Sequence, residues 1–370
     1  MLFNPDYKRS QASENKENNE ELISLPKTPI RSAEIQYGSS SRGIDASTAG
    51  LVMAILIAVT FIVTALYVFY VKPQHEAHSL NAAVAQSVGP VGGTAYNTDA
   101  FQNIALQARS AIVYDLTTND VLFSHDADSE QPLASLTKLM TAIVALETLE
   151  ENATVTITDA SFAAEGDTGL TLEDSWNFSD LLDFTLITSS NDGAQAIAAA
   201  AGATLAGSST APVDEETLNR LTFVQQMNAK ARELGLTHMN FTNASGLDVG
   251  ETTSGSYGSA RDVARLLAYM MHEHPDLLEV TAVEEKEFTS LTGATVLAHN
   301  TNARVGNVPG IFGSKTGFTD LAGGNLALLF DAGINRPVAV VVLGSTYEER
   351  FIDAELLAHK TLEYFTGPNN

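Results

Sequence analysis

Residues 312–344, FGSKTGFTDLAGGNLALLFDAGINRPVAVVVLG, read as three strands. FGSKTGFT (312–319), NLALLFD (325–331) and RPVAVVVLG (336–344) are separated by turn-forming residues, the last two by Gly333-Ile334-Asn335. Runs rich in aliphatic, β-branched and aromatic side chains between such turns are the usual mark of β-structure. Matching runs lie far upstream: SAIVYDL (110–116) and VLFS (121–124), joined by Thr117-Thr118-Asn119-Asp120 as a predicted hairpin. Between these ends, apolar residues recur at helical spacing from Ala134 through SLTKLMTAIVALETLE. Further helices are expected over Ser179 to Ala201, Asp214 to Leu234 and Ser259 to His272, with another from about Glu348. Strands at both ends and helices between them predict an α+β domain whose terminal segments share one antiparallel sheet. No internal repeat is visible. The folded domain is assigned to residues 105–370, with its packed part from Leu106 to Phe365.

Upstream of this domain the composition changes. Residues 46–71 form a 26-residue stretch without a charge. As a helix it measures about 39 Å, enough to cross a bilayer with tilt. Tyr67 and Tyr70 lie near one end, where interfacial aromatics belong. Ala83-Val84-Ala85 matches a signal-peptide cleavage site, but a 45-residue polar tail precedes the apolar run, and cleavable signals begin near the start with shorter runs. The segment is therefore assigned as a single uncleaved transmembrane helix. Arg31 and Arg42 on one side against Lys72 on the other place the N-terminus in the cytoplasm and the domain outside the cytoplasmic membrane. Residues 1–45 read as a disordered cytoplasmic tail. Residues 72–104, with Gly89-Pro90-Val91-Gly92-Gly93 and many Ala and Ser, read as a flexible stalk.

Composition excludes several functions. With 20 Lys+Arg against 45 Asp+Glu, a net charge of −25, the chain lacks the basic footprint of a nucleic-acid binder. With no cysteine, a disulfide scaffold, a thiol nucleophile and a thiolate zinc site are excluded. His238, His272, His274 and His299 show no zinc-ligand spacing, so neither metal nor cofactor is expected.

Three short motifs carry chemistry. Ser135-Leu136-Thr137-Lys138 opens the first helix, where a three-residue offset brings the lysine amine beside the serine hydroxyl. Serine is a poor nucleophile until a base takes its proton, and a lysine kept neutral by burial can serve. Alone the pattern means little, since Ser13-Glu14-Asn15-Lys16 and Ser24-Leu25-Pro26-Lys27 repeat it in the tail. Ser189-Ser190-Asn191 is an S-x-N, also repeated elsewhere, whereas Lys315-Thr316-Gly317 is the single K-T-G. Their order and setting carry the information: a long apolar helix, a helical region, then a strand.

This combination, with SAIVYDL, PLASLTKLMTAIVALE, DLLDFTLITSSNDGAQAIA, FTNASGLD, SARDVARLLAYMM, HNTN and GSKTGFTDLAGGNLALLF, resembles the D-alanyl-D-alanine carboxypeptidases of the low-molecular-weight penicillin-binding proteins over residues 109 to about 345. The resemblance implies a penicillin-binding/β-lactamase-like domain: an antiparallel five-stranded sheet flanked by helices, with a helical subdomain. It implies removal of the terminal D-alanine from peptidoglycan stem peptides, with β-lactam antibiotics as covalent inhibitors. Carried over by residue, it makes Ser135 the acyl-enzyme nucleophile, Lys138 its base and Ser189 a proton relay to the leaving amine. Asn191 would bind a substrate amide, Lys315 would supply positive potential, Thr316 would hold the terminal carboxylate, and the N–H groups of Ser135 and Phe318, beside Gly317, would form the oxyanion hole.

There are departures. Many relatives continue into a β-rich second domain and a C-terminal amphipathic anchor. Here 53 residues follow Gly317, room for two strands and a helix, and the N-terminal span is expected to replace that anchor. Where relatives often carry an arginine after the last strand, this chain has Gly344-Ser345-Thr346, leaving the carboxylate to Lys315, Thr316 and Arg350. Glu215 to Asn219 matches the E-x-x-L-N of class A β-lactamases but falls where acidic residues suit a helix N-terminus. Residues 199–212 read as an insertion. A D,D-endopeptidase, a β-lactamase and a non-catalytic wall-binding relative are the competing readings; the intact motif set opposes the last.

Overall fold

The computed structural model describes residues 96–367 except 163–165, 167–168, 208–213 and 334. The transmembrane assignment at 46–71, the tail, residues 72–95 of the stalk and residues 208–212 of the expected 199–212 insertion lie outside the described residues; residues 199–206 of that stretch continue a helix. Among the described residues no helix is long and apolar enough to cross a membrane.

The sheet has five strands: β1 (Ser110–Asp115), β2 (Asp120–His125), β3 (Ile311–Thr319), β4 (Gly323–Asp331) and β5 (Pro337–Ser345). Their order is β3-β4-β5-β1-β2, and each neighbouring pair is antiparallel. The expected joining of the two chain ends is the β1–β5 pairing, running from Ser110 opposite Leu343 to Asp115 opposite Val338. On β5, Val338, Val340 and Val342 enter one core and Ala339, Val341 and Leu343 the other. With both faces covered, a strand needs apolar residues on both sides, which is why RPVAVVVLG does not alternate.

Six helices complete the described fold: α1 (Thr137–Leu146), α2 (Phe178–Thr188), α3 (Asn191–Ala206), α4 (Glu215–Glu233), α5 (Ala260–Glu273) and α6 (Glu349–Thr366). α6 covers one face, with Phe351, Ala354, Leu357 and Ala358 against the odd-numbered residues of β1 and the even-numbered ones of β5. α5 packs on the opposite face, and α1 to α4 gather against it and one another in the same core. α1 is buried from Thr137 through Ala145, so its polar Thr137, Lys138 and Thr141 are enclosed along with its apolar face. β3 is an edge strand; its outer side is covered at Ser314, whose N–H donates to Thr281 Oγ1 at 2.9 Å, and beyond that point no further strand pairs with it among the described residues.

Some expectations needed correction. The helix expected over Ser179 to Ala201 is two helices, because Ser189 adopts the left-handed conformation (φ 60°, ψ 33°) and ends α2. Ser190 then caps α3 by accepting from Gly193 N at 3.0 Å. The apolar spacing runs through the break and conceals it. α1 ends at Leu146 and is preceded by a 3₁₀ turn, Ala134–Leu136. The hairpin Glu285–Thr289/Thr295–His299 was not expected from the sequence. Residues 96–104, assigned to the stalk, are packed: Tyr96 stacks on Tyr364, Phe101 on Phe123, and Asn97 N donates to Tyr364 O. Tyr96, Phe101 and Ile104 supply the apolar area that docks the stretch on α6 and β2.

Candidate active site

The 3₁₀ turn at the head of α1 holds Ser135 half-buried, directly after Ala134, whose φ of 48° lies in the left-handed region that a side chain disfavours. One turn on, Lys138 is 1% exposed. Its Nζ lies 2.9 Å from Ser135 Oγ, 2.7 Å from Asn191 Oδ1 and 2.8 Å from the carbonyl oxygen of Ser245. Asn191 arrives as the first residue of α3, immediately after the break at Ser189. With its carbonyl oxygen turned to Lys138 by the hydrogen-bond network, Asn191 and Ser245 present two pure acceptors to the amine.

A second lysine faces the first. Lys315, 2% exposed on β3, donates to Ser189 Oγ at 2.7 Å and to the Thr316 carbonyl at 3.1 Å. Thr316 Oγ1 donates to Thr301 Oγ1 at 2.7 Å. β3 passes Ser135 closely: a Cβ on Gly317 would meet Leu133 O at 3.0 Å and Ser135 N at 3.2 Å, so a side chain there would push the strand from the head of α1. Phe318 turns its ring outward, edge-on to Tyr347 with centroids 5.2 Å apart. The structure therefore brings Ser135, Lys138, Ser189, Asn191, Lys315, Thr316 and Gly317 together at the junction of the sheet edge and the helical layer.

Burial sets the proton affinities of both amines. Desolvation first, and then repulsion from Lys315, holds Lys138 well below the ordinary lysine value. Desolvation and the charge of Arg350 bring Lys315 to about 7. Arg350 is not presented to a carboxylate, as the sequence reading had allowed. It is buried, its Nη1 donates to the Gly317 carbonyl at 2.9 Å, and its guanidinium lies over Tyr347 and Phe351.

Sequence reasoning missed two contributors, the Ser245 carbonyl and the Thr301 hydroxyl. A backbone carbonyl has no residue signature, although Ser245 lies within FTNASGLD and Thr301 within HNTN, both singled out as segments. The E-x-x-L-N stretch lies at the N-terminus of α4, capped by Asp214, with Glu216 engaged by Arg220 and Thr158. Among the described residues no cluster of three His, Asp or Glu could hold a metal ion.

This geometry has counterparts in known proteins. Residues 97–346 match the family model described as D-alanyl-D-alanine carboxypeptidase. The chain is 30% identical over 253 residues to the D-alanyl-D-alanine carboxypeptidase DacF of Bacillus subtilis, covering 67% of this chain and 60% of that one. It is 31% identical to a D-alanyl-D-alanine endopeptidase of Haemophilus influenzae, covering 67% and 80%. Against penicillin-binding protein D2 of Listeria monocytogenes in its ampicillin-bound form it superposes with a TM-score of 0.58 and 30% identity, covering 70% of this chain and 99% of that one. Since the matched span begins just before β1, ends just after β5 and holds all three motifs, the chain belongs to the D-alanyl-D-alanine carboxypeptidase family.

Proposed function

We propose that this protein is a serine D,D-carboxypeptidase that removes the terminal D-alanine of peptidoglycan stem peptides through an acyl-enzyme. The observation that carries the reading is the 2.9 Å approach of a buried, easily neutralised Lys138 amine to Ser135 Oγ. A neutral amine has two N–H bonds and one lone pair. Asn191 Oδ1 and Ser245 O accept the two hydrogens, which aims the lone pair at the Ser135 hydroxyl.

In acylation, Ser135 Oγ bonds to the penultimate D-alanine carbonyl carbon as its proton passes to Lys138. Negative charge develops on the carbonyl oxygen, for which the N–H groups of Ser135 and Phe318 are the donors. Collapse breaks the C–N bond, and the proton held by Lys138 passes by way of Ser189, which Lys315 orients, to the departing amine, leaving Lys138 neutral. Water then attacks the ester and gives a proton to Lys138, which returns it to Ser135 Oγ as the ester bond breaks. An extended substrate paired along the free edge of β3 has its carboxylate near Lys315, Thr316 and Thr301. The family's β-lactams acylate Ser135 in the same way, because a strained amide and a carboxylate occupy the same positions.

The near-equal identities to a carboxypeptidase and an endopeptidase make cleavage of cross-links the second reading, and the free carboxylate separates them. A charge-assisted contact contributes about 1.5–3 kcal/mol. Amidating the pentapeptide C-terminus should therefore lower kcat/KM by roughly tenfold to a few hundredfold. Thr316→Val should cause a similar loss on the acid and little further loss on the amide. Equal cleavage of acid and amide, with cross-linked dimers cut faster than either, would assign the endopeptidase activity instead.

We also assign residues 46–71 as the membrane anchor, with the tail cytoplasmic and the catalytic domain facing the wall; their uncharged length and the location of the substrate support this. Protease added to intact cells should digest residues after Lys72 and spare the tail. A protected domain would overturn both the topology and the wall substrate.

A further inference from the structure

The loop from Asn243 to Asp248 contains the Ser245 carbonyl that faces the Lys138 amine, and its shape depends on one side chain. Asn243 Oδ1 accepts from Gly246 N at 2.7 Å, from Ser245 N at 3.2 Å and from Ser245 Oγ at 3.2 Å. Its Nδ2 donates to Leu247 O at 2.8 Å. Gly246 has φ 85°, and a Cβ there would overlap the Ala134 carbonyl, so the loop lies directly on the turn that carries Ser135. Behind it, Thr242, Asn243 and Ala244 line a cavity of about 190 Å³ with Gln195, Ala198 and Val224. The Ser245 peptide is buried and held from several sides: Thr141 Oγ1 donates to Ala244 O at 2.7 Å, Gly246 seats the loop on the Ala134 turn, and Asn243 gathers the Ser245 and Gly246 N–H groups on its Oδ1.

We propose that Asn243 is a positioning residue for the general base: by holding the Ser245 peptide it aims that carbonyl at Lys138 and so directs the amine's lone pair to Ser135. The inference rests on the serine-peptidase reading above. Asn243 touches no reacting atom; it acts through the Ser245 carbonyl. The charged group facing Lys138 from the neighbouring strand is Lys315, backed by Arg350 from α6.

Two effects follow from loosening the carbonyl. The lone pair loses its direction, and misplacement by about 1 Å can cost on the order of a hundredfold in rate. The ammonium also loses more than the neutral amine does, because a charge-assisted hydrogen bond is the stronger one, so the proton affinity of Lys138 falls.

The test is the second-order rate of acylation by a fluorescent penicillin, measured against pH on the full-length protein. In Asn243→Ala the plateau should fall by about thirtyfold to a hundredfold, and the acid limb should move to lower pH. In Asn243→Asp the Oδ1 acceptor is kept while the donor to Leu247 O is lost, a single hydrogen bond of about 1 kcal/mol, so the plateau should stay within about tenfold of wild type, and the limb should move to higher pH because the added carboxylate favours the ammonium. Near-UV circular dichroism checks that each variant is folded; if Asn243→Ala is not, Asn243→Asp decides by its plateau. Parallel plateau losses in both variants, or an unmoved limb in Asn243→Ala, overturn the proposal while leaving the peptidase reading intact. An unlabelled wild type overturns both.

Discussion

Ser135→Ala should leave a folded protein that forms no covalent adduct with penicillin and has lost about a millionfold in kcat on the pentapeptide, the scale seen when a serine nucleophile is removed from a comparable site. The loss corresponds to about 8 kcal/mol of transition-state stabilisation. Its size reflects how the site is built. Asn191, Lys315 and the β3 edge still hold the substrate in the variant, but with no oxygen at position 135 neither the acyl-enzyme nor its two lower barriers exist. The fold should tolerate the change, because Lys138 keeps the Asn191 and Ser245 oxygens as partners and Ser135 is only half-buried. Intact mass after incubation with penicillin, together with D-alanine release, makes the measurement. A stoichiometric adduct on the variant would place the nucleophile elsewhere.

Lys138→Met should retain the volume of the side chain and lose about a thousandfold to ten-thousandfold in acylation, the upper part of the range for a general base. Methionine is the better probe than arginine. A guanidinium cannot deprotonate, and it would bury a fixed charge facing Lys315, so reduced activity would be confounded with reduced stability. With methionine, the Asn191 and Ser245 oxygens lose a donor, which costs about 1–3 kcal/mol. The amine's own desolvation penalty is also gone, so the two changes partly offset. The pH dependence identifies the role. Burial lowers the pKa of Lys138, so the amine is protonated and idle only at pH values below that lowered pKa. The wild-type rate should therefore rise with pH through it and then level, whereas the methionine variant should show no such limb. Acylation within tenfold of wild type, or an unchanged limb, would remove Lys138 from the base role.

Much of this arrangement was legible in the sequence, and the parts that were not share a cause. Ser135 and Lys138 meet because three residues of helical backbone bring them together, a local relation that composition and spacing reveal. The strands of the sheet could be read for a similar reason: a strand buried on both faces must be apolar along its length, as 336–344 is, and the runs near 110 and 340 were natural partners. The helix over 179–201 was misjudged because its apolar spacing continues through Ser189. There the chain turns left-handed, and the polar Ser189-Ser190-Asn191 step serves as a C-cap and an N-cap while Ser189 and Asn191 meet the two buried lysines. The docked residues 96–104 were misjudged because three apolar side chains, Tyr96, Phe101 and Ile104, decide their fate and averaged composition does not register them.

What the sequence by itself determined, then, was the α+β class and the expected pairing of the chain ends, which rest on residue type and periodicity, and the order and setting of the three motifs, whose meaning came from the family resemblance. The tertiary structure alone decided the proton affinities of Lys138 and Lys315, which depend on burial and on charges brought from β3 and α6. It alone supplied the Ser245 carbonyl, the Thr301 hydroxyl and the withdrawal of Arg350 to the Gly317 carbonyl. The physical reason is the same in each case. A serine and a lysine three residues apart become nucleophile and base only when water is excluded and the amine's hydrogens are given fixed acceptors, and those acceptors come from segments distant in sequence that meet only once the fold has closed.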